Sequence, residues 1–382
     1  MKFSTLQASL DCRALSLYVV VAQISSANPL MQPHIPSICS RLQARSVLSQ
    51  PTAGAAGAAD FHRELINAVS VVLDAAPEKL VNGAFRPVMQ YLVRSVDCDS
   101  VYIATIATDF WVKYASAPAD RRIRRQWMTA FNAESPTLIR ALMDHMVYHP
   151  AYSDHLEQTA SGPERYRSLP REAELRYNLR EVAASAFEHI AQIYSDEVLC
   201  ATFRPLLETR LESEAWEIKE AAILALAAYT EGAGTPDVMR DCYCLVVPRV
   251  IDCYADERPL LRSVACFAMT KLVGHRLRGI KDPWPRVLTC TARATRDSCA
   301  EVRSTAIRSL SSLLAYGTAN GVGGVGRSND VGGHASRLVD DLVRAEQCEM
   351  DPESRAAYFE CVSHLVGRLV PISWHLSQGP YA

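Results

Sequence analysis

His145 and His149 stand one helical turn apart beside Asp144. Two imidazoles at that spacing can grip a divalent metal, but the Glu of a His-Glu-x-x-His site is missing, and a surface or capped helix position accounts for both rings. Cys242-Tyr243-Cys244 lacks the two-residue gap and the second ligand pair of a zinc knuckle, so helix packing explains it better. Gly321-x-Gly323-x-x-Gly326 has the spacing of a dinucleotide fingerprint. That fingerprint needs a strand before it and a helix opening on it. Here a helix precedes, and a flexible inter-repeat loop is the better reading. Arg121-Arg122-Ile123-Arg124-Arg125 can contact an acid or a phosphate, yet a solvated inter-helix turn explains it as well. No catalytic residue, metal site or cofactor is assigned, and the expectation is a protein that is not an enzyme.

The elements that would position any site are announced by a repeated phrase: a β-branched or Leu residue, a cation, two variable positions, then Ala. It occurs as Leu179-Arg180-Glu181-Val182-Ala183, Ile218-Lys219-Glu220-Ala221-Ala222, Leu261-Arg262-Ser263-Val264-Ala265 and Val302-Arg303-Ser304-Thr305-Ala306. The starts are 39, 43 and 41 residues apart. A period near forty with helical patterning inside each unit marks a HEAT or armadillo solenoid. The expected fold is therefore all-α, an α-α superhelix of HEAT repeats. Such arrays present extended binding surfaces, which favours partner binding over catalysis.

Bulk properties agree. The chain has 382 residues, 49% of them hydrophobic, and a formal charge of −2, which argues against an electrostatic nucleic-acid binder. Twelve cysteines scattered through helical patterns read as reduced, mostly buried thiols of a nuclear or cytosolic protein. No stretch approaches the ~18 apolar residues of a membrane span. The run Leu15 to Ala22 imitates a signal peptide, but Asp11 and Arg13 interrupt it, so it reads as a helix of the array.

Five segments follow. Residues 8–152 form an N-terminal block of repeats with a small-residue linker at 51–59. Residues 153–177 are a polar insert with five acids and four arginines. Residues 178–317 hold the clearest repeats, 318–333 form a Gly-rich loop, and 334–370 supply the last repeat. Each repeat pairs a first helix with a second helix that carries the phrase.

At 100° per residue the four second helices superpose on the first residue of the phrase. Positions +4, +5, +8 and +11 are apolar in every copy and define the shared core. Position +6 lies roughly opposite and holds Ser185, Leu224, Phe267 and Arg308, with no common chemistry. Around it, +3 and +10 add Val264 and Lys271, and +9 adds Glu188. A register fixed in backbone and free in side chain suggests a recognition row, with packing on an adjacent loop as the rival for Phe267.

Here the residues point to a family. Tyr177-Asn178-Leu179-Arg180, Ala183-Ala184 and Ile193-Tyr194-Ser195-Asp196-Glu197 resemble the transportin (karyopherin-β2) branch of the importin-β nuclear transport receptors. So do Trp216 to Leu224, the ending Tyr229-Thr230-Glu231-Gly232, and Leu261 to Phe267. Upstream, Asp109-Phe110-Trp111 and Leu138 to Leu142 fit less specifically. The resemblance covers about residues 10–370, looks internal to the receptor, and implies that the first repeats, which in the family grip the GTPase Ran, are missing.

What the resemblance implies is a nuclear import receptor moving between cytoplasm and nucleus. Its partners would be cargo proteins with nuclear localisation signals of the proline–tyrosine type, nucleoporins, and Ran in the intact receptor; nucleic acid and membrane are not expected. The family's signal-binding surface falls on Ser185, Glu188, Leu224, Val264, Phe267 and Lys271, with Glu360 keeping an acid in the last repeat. Phe267 replaces a tryptophan and Lys271 an arginine. Arg308, Ala315 and Gly367 depart from the pattern, and losing acids while gaining a cation is expected to weaken attraction for a basic signal. The insert at 153–177 falls where the family carries a long acidic loop that couples Ran binding to cargo release. The alternative is a HEAT-repeat scaffold with no transport role.

Overall fold

The computed structural model describes residues 58–75, 85–117, 121–150, 171–194, 197–233, 239–274, 284–319, 329–348, 350 and 352–369. These residues are helical and contain no strand. The helices are α1 (Ala58–Ala75), α2 (Phe85–Val96), α3 (Val101–Ser116), α4 (Arg121–His145), α5 (Arg171–Ile193), α6 (Glu197–Leu211), α7 (Trp216–Ala233), α8 (Arg240–Asp252), α9 (Pro259–Gly274), α10 (Trp284–Ala294), α11 (Ala300–Ala319), α12 (Asn329–Glu346) and α13 (Pro352–Leu369). A short 3-10 turn, Cys253–Ala255, follows α8. The fold is the all-α HEAT-repeat solenoid class that the forty-residue period implies.

The described residues divide into two compact units, one ending at Leu207 and the other starting at Glu208. In the first unit α1, α3 and α5 pack successively as one layer, with α2 and α4 against it. In the second, α7, α9, α11 and α13 pack in order as one layer, and α8, α10 and α12 form the other. Within the second unit each phrase-bearing helix thus lies beside the next one, a forty-residue step away.

The core arc is where the 100° spacing puts it. Of the sixteen residues at +4, +5, +8 and +11, only Ala184 is more than marginally accessible. Burying a side chain such as Phe187, Leu226, Met269 or Leu310 stabilises by about 1.5–3 kcal/mol each. The +7 position is also fixed: Ala186, Ala225, Ala268 and Ser309 are all buried. A small residue there lets neighbouring second helices approach until side chain meets backbone. Ser309 donates to the Cys266 carbonyl at 3.2 Å, and the Cys361 thiol donates to the Ile307 carbonyl at 3.6 Å.

In three of the four copies the phrase's cation, an arginine, is a structural clamp. Arg262 donates Nε and Nη2 to the two Asp297 oxygens, both at 2.7 Å, and Nη1 to the Asp256 and Glu257 carbonyls. Arg303 repeats the motif on the carbonyls of Asp297 and Ser298. Arg180 bonds the Met146 carbonyl and lies over the Tyr148 ring, 3.8 Å from its centroid. A residue five positions before three of the four phrases builds the turn that starts the helix. Ser213, Asp256 and Asp297 accept the backbone N–H two residues on, at 3.2, 2.9 and 2.9 Å. In α9 that turn delivers Pro259 to the first helical position, where its fixed φ and missing N–H do no harm.

Three expectations change. The arginine cluster at 121–125 is not an inter-helix turn but the opening of the 25-residue helix α4, which runs through Pro136. Residues 171–177, expected within the polar insert, are the first turns of α5. Gly317–Ala319 continue α11 and 329–333 open α12, so both ends of the expected Gly-rich loop are helical. The fingerprint glycines, the expected N-terminal helix, residues 51–57 of the linker and 151–170 of the insert lie outside the described residues.

All ten described cysteines are free, and five are buried. Burial pushes the Cys253 thiol up to about 11 and those of Cys266 and Cys361 up to about 12.

Candidate functional site

On α5, in the first unit, Ser185 and Glu188 are both half-buried. His189, one turn past Ser185, bonds the Ser185 carbonyl through Nδ1 at 2.8 Å. A hydroxyl and a carboxylate therefore share one accessible strip of this helix.

The other expected positions lie in the second unit and are brought together there by the layer α7, α9, α11 and α13. Leu224 is half-buried on α7. Phe267, on α9, is 39% exposed, the one aromatic of that helix left open to solvent. The Lys271 ammonium lies over its ring, 5.6 Å from the centroid. The same ammonium reaches across to Glu231 of α7 at 3.2 Å. Glu360 is exposed on α13 and accepts the Ser311 hydroxyl of α11 at 2.9 Å. Val264 differs: it is only 6% exposed. It belongs to the packed flank beneath the row and offers a ligand little more than an edge.

Two further carboxylates complete the face. Arg308, at the +6 position of α11, faces Glu353 of α13 at 3.5 Å, both largely exposed. Cys361 meets the Ile307 carbonyl as Ser309 meets that of Cys266, so Ser354 is the start of the α13 register. In that register Glu353 is at −1 and Glu360 at +6, while Glu231 is at +13 of α7. A step of seven residues returns a helix to within 20° of the same direction. The −1, +6, +10 and +13 positions of α7, α9, α11 and α13 therefore share one side.

On that side stand five carboxylates, Glu217, Glu231, Glu301, Glu353 and Glu360, against Lys271 and Arg308, and none of them is fully buried. The strip is net acidic around an exposed ring and Leu224. Such a surface attracts an extended segment that mixes cations with apolar side chains. Sequence reasoning missed Glu231 and Glu353 because both fall outside the short phrase, Glu231 beyond its end and Glu353 in a helix that carries no copy of it. A heptad search outward from +6 would have found both.

His145 is committed to structure, since its Nε2 bonds the Val96 carbonyl at 2.6 Å and so closes the end of α2. Cys242 is buried in α8 while Cys244 is exposed, so the two sulfurs leave opposite sides of the helix. Among the described residues no group of three or more His, Cys, Asp or Glu is placed to hold a metal. No described helix is long and apolar enough to cross a membrane.

No protein-family profile matches the chain. Individual proteins do. Transportin-1 of mouse and of human is 30% identical over 148 residues, 33% of this chain and 16% of theirs. Rice transportin-1 is 22% identical over 247 residues, 55% of this chain and 26% of its own. Among solved structures, Kap121p bound to Pho4p superposes with a TM-score of 0.69 at 14% identity, over 93% of this chain and 32% of that one. Kap121p bound to RanGTP gives 0.69 at 14%, over 94% and 33%. Kap121p has also been solved with Nup53p. The chain thus spans a sixth to a third of the length of the proteins it matches.

Proposed function

We propose that this chain, a karyopherin-β (importin-β) family fragment whose sequence matches the transportin branch, binds nuclear localisation signals of cargo proteins on the face of its second helices. The observation that carries this reading is the exposed Phe267 ring set in a strip with a surplus of acids. Basic residues of a signal are drawn by the carboxylates, and an apolar or proline–tyrosine element stacks on Phe267 beside Leu224. Glu188 and Ser185 form a second contact strip on the first unit. The intact receptor releases cargo on binding Ran, meets nucleoporins, and shuttles between cytoplasm and nucleus. Its relatives are transport receptors rather than enzymes, and the complexes of Kap121p with Pho4p, RanGTP and Nup53p support the same partner classes.

On this reading the cation at position 308 repels a basic signal less than its charge alone implies. Its charge is met by Glu353.

Titrating a fluorescent proline–tyrosine signal peptide against the chain tests this reading. Truncating a buried aromatic anchor commonly costs about 2 kcal/mol or more, so Phe267→Ala should weaken binding roughly thirty-fold. Glu188→Lys should weaken it as well, by a factor that shrinks as salt rises. No binding by the wild type, or equal binding by both variants, removes the groove assignment and leaves a scaffold.

A further inference from the structure

The opposite layer of the second unit holds a cleft that cargo binding does not use. It lies between α10 and α12, encloses about 290 Å³, and is floored by Ala292 and Leu338, both almost wholly buried. Three guanidinium groups line it: Arg293 and Arg296 from α10 and its C-terminal turn, and Arg344 from α12.

Arg296 is pinned, donating Nη2 to the Asp341 Oδ1 at 2.7 Å. Its Nε is buried and meets no acceptor among the described residues. A buried donor without an acceptor is uncommon in a folded protein and marks a place where a ligand oxygen or water belongs. Arg293 and Arg344 are exposed at the rim, and neither has an ion-pair partner among the described residues. Asp341 is spent on Arg296, and Asp340 is the one other acid of the lining.

We propose that this cleft is a phosphate-recognition site that takes a phosphorylated serine or threonine side chain of a peptide. The guanidinium fork suits tetrahedral oxyanions, which it binds through paired N–H donors. A phosphoryl group brings about −1.5 to −2 charges and three acceptor oxygens. That matches the two free rim arginines, with Arg296 held behind them, better than the single charge of a carboxylate does, and it outweighs Asp340. Ala292 and Leu338 leave room for the Cβ and the peptide stem without a polar group to satisfy. Because the cleft lies in the layer opposite the cargo strip, a bound phosphopeptide leaves that strip free.

The test uses the full chain and a nine-residue peptide library with fixed central phosphoserine. Controls are the same library with serine, the same with glutamate, and inorganic phosphate as competitor. The phosphoserine library should bind at least about tenfold more tightly than the serine library, inorganic phosphate should compete, and affinity should fall with salt. Arg293→Glu and Arg344→Glu should each weaken it about tenfold or more. If a reversal lowers the melting temperature, Arg344→Gln removes only a rim charge and should still weaken binding several-fold. Equal binding of the phosphoserine and serine libraries overturns the site. So does equal affinity of folded variants and wild type, and a glutamate library binding as well as phosphoserine reassigns it to carboxylates. Phe267→Ala leaves phosphopeptide affinity unchanged if the two sites are independent.

Discussion

Arg262→Ala removes a guanidinium that makes four charge-assisted hydrogen bonds at once. Two go to the Asp297 oxygens at 2.7 Å and two to the Asp256 and Glu257 carbonyls at 2.8 and 3.0 Å. The pair is 14% and 12% exposed, so the Asp297 carboxylate left behind regains little water. Breaking a buried pair by deleting one partner costs about 3–5 kcal/mol, and the residual exposure here places the loss near the lower end, about 3 kcal/mol. For a unit of this size that lowers the melting temperature by roughly 6–12 °C. The control is Arg308→Ala. Its pair with Glu353 is longer, at 3.5 Å, with side chains 51% and 82% exposed. An exposed pair contributes between nothing and about 1 kcal/mol. Asp297→Asn with Arg262→Ala closes a double-mutant cycle in which the coupling should be about 1.5–3 kcal/mol. Repeat stacks need not unfold in one step, so thermal melts by circular dichroism should be paired with hydrogen exchange at α9 and α11 amides. If Arg262→Ala shifts the melt no more than Arg308→Ala, the clamp contributes nothing and the cation of the phrase needs another explanation.

Val264→Ala should cost about 1.5 kcal/mol of stability, two buried methyl-sized groups, while leaving signal-peptide affinity nearly intact. Phe267→Ala should do the reverse, and a matched melt and titration separate them. Buried thiols give the chain an alkaline limit. Cys253, Cys266 and Cys361 keep their protons up to about 11–12 when folded, against about 9 when unfolded. Between those values the native state holds protons the unfolded state has lost, so stability is fully present below about pH 9 and declines as pH rises through 9–12. Melts from pH 7.5 to 10.5 should show this, and replacing all three by alanine should flatten the slope. At pH 8 iodoacetamide should modify exposed Cys244 long before Cys266 or Cys361, read by peptide mass spectrometry; equal rates would mean the core opens freely.

The solenoid class was legible because its determinants are local and repeated. Small or apolar residues at fixed steps leave the same print in every copy, and a cation that clamps a turn does so in three of the four. Helix α4 was harder to read. Its opening turns are Arg121-Arg122-Ile123-Arg124-Arg125, with no apolar period, and Pro136 argues for a break that packing against α2 and α5 overrides. The site was partly legible. Position +6 is on the accessible side in every copy, as its angle requires. Val264 lies only 60° from it and is nonetheless buried, because a helix wheel does not show how far a neighbouring helix covers its flank. Glu231 and Glu353 come from helices other than those they compensate, and one-helix patterns carry no record of such cross-helix pairs.

The turn at Asp297 to Cys299 is held by arginines of two successive second helices, Arg262 through its carboxylate and Arg303 through its carbonyls. Further along, α9 and α11 touch through small groups: Ser263 donates to the Thr305 hydroxyl at 3.0 Å and Ser309 to the Cys266 carbonyl. The two helices are thus riveted at one end and smooth along their seam, like the ribs of a fan. Small changes of splay at the far end disturb few rotamers, whereas separation at the riveted end strips from Arg262 its two hydrogen bonds to Asp297. The spacing between Phe267 and Arg308, which sit past the rivet, is therefore the adjustable dimension of this face. On the proposed reading, signals of different bulk are gripped by a change of pitch, with the core left undisturbed.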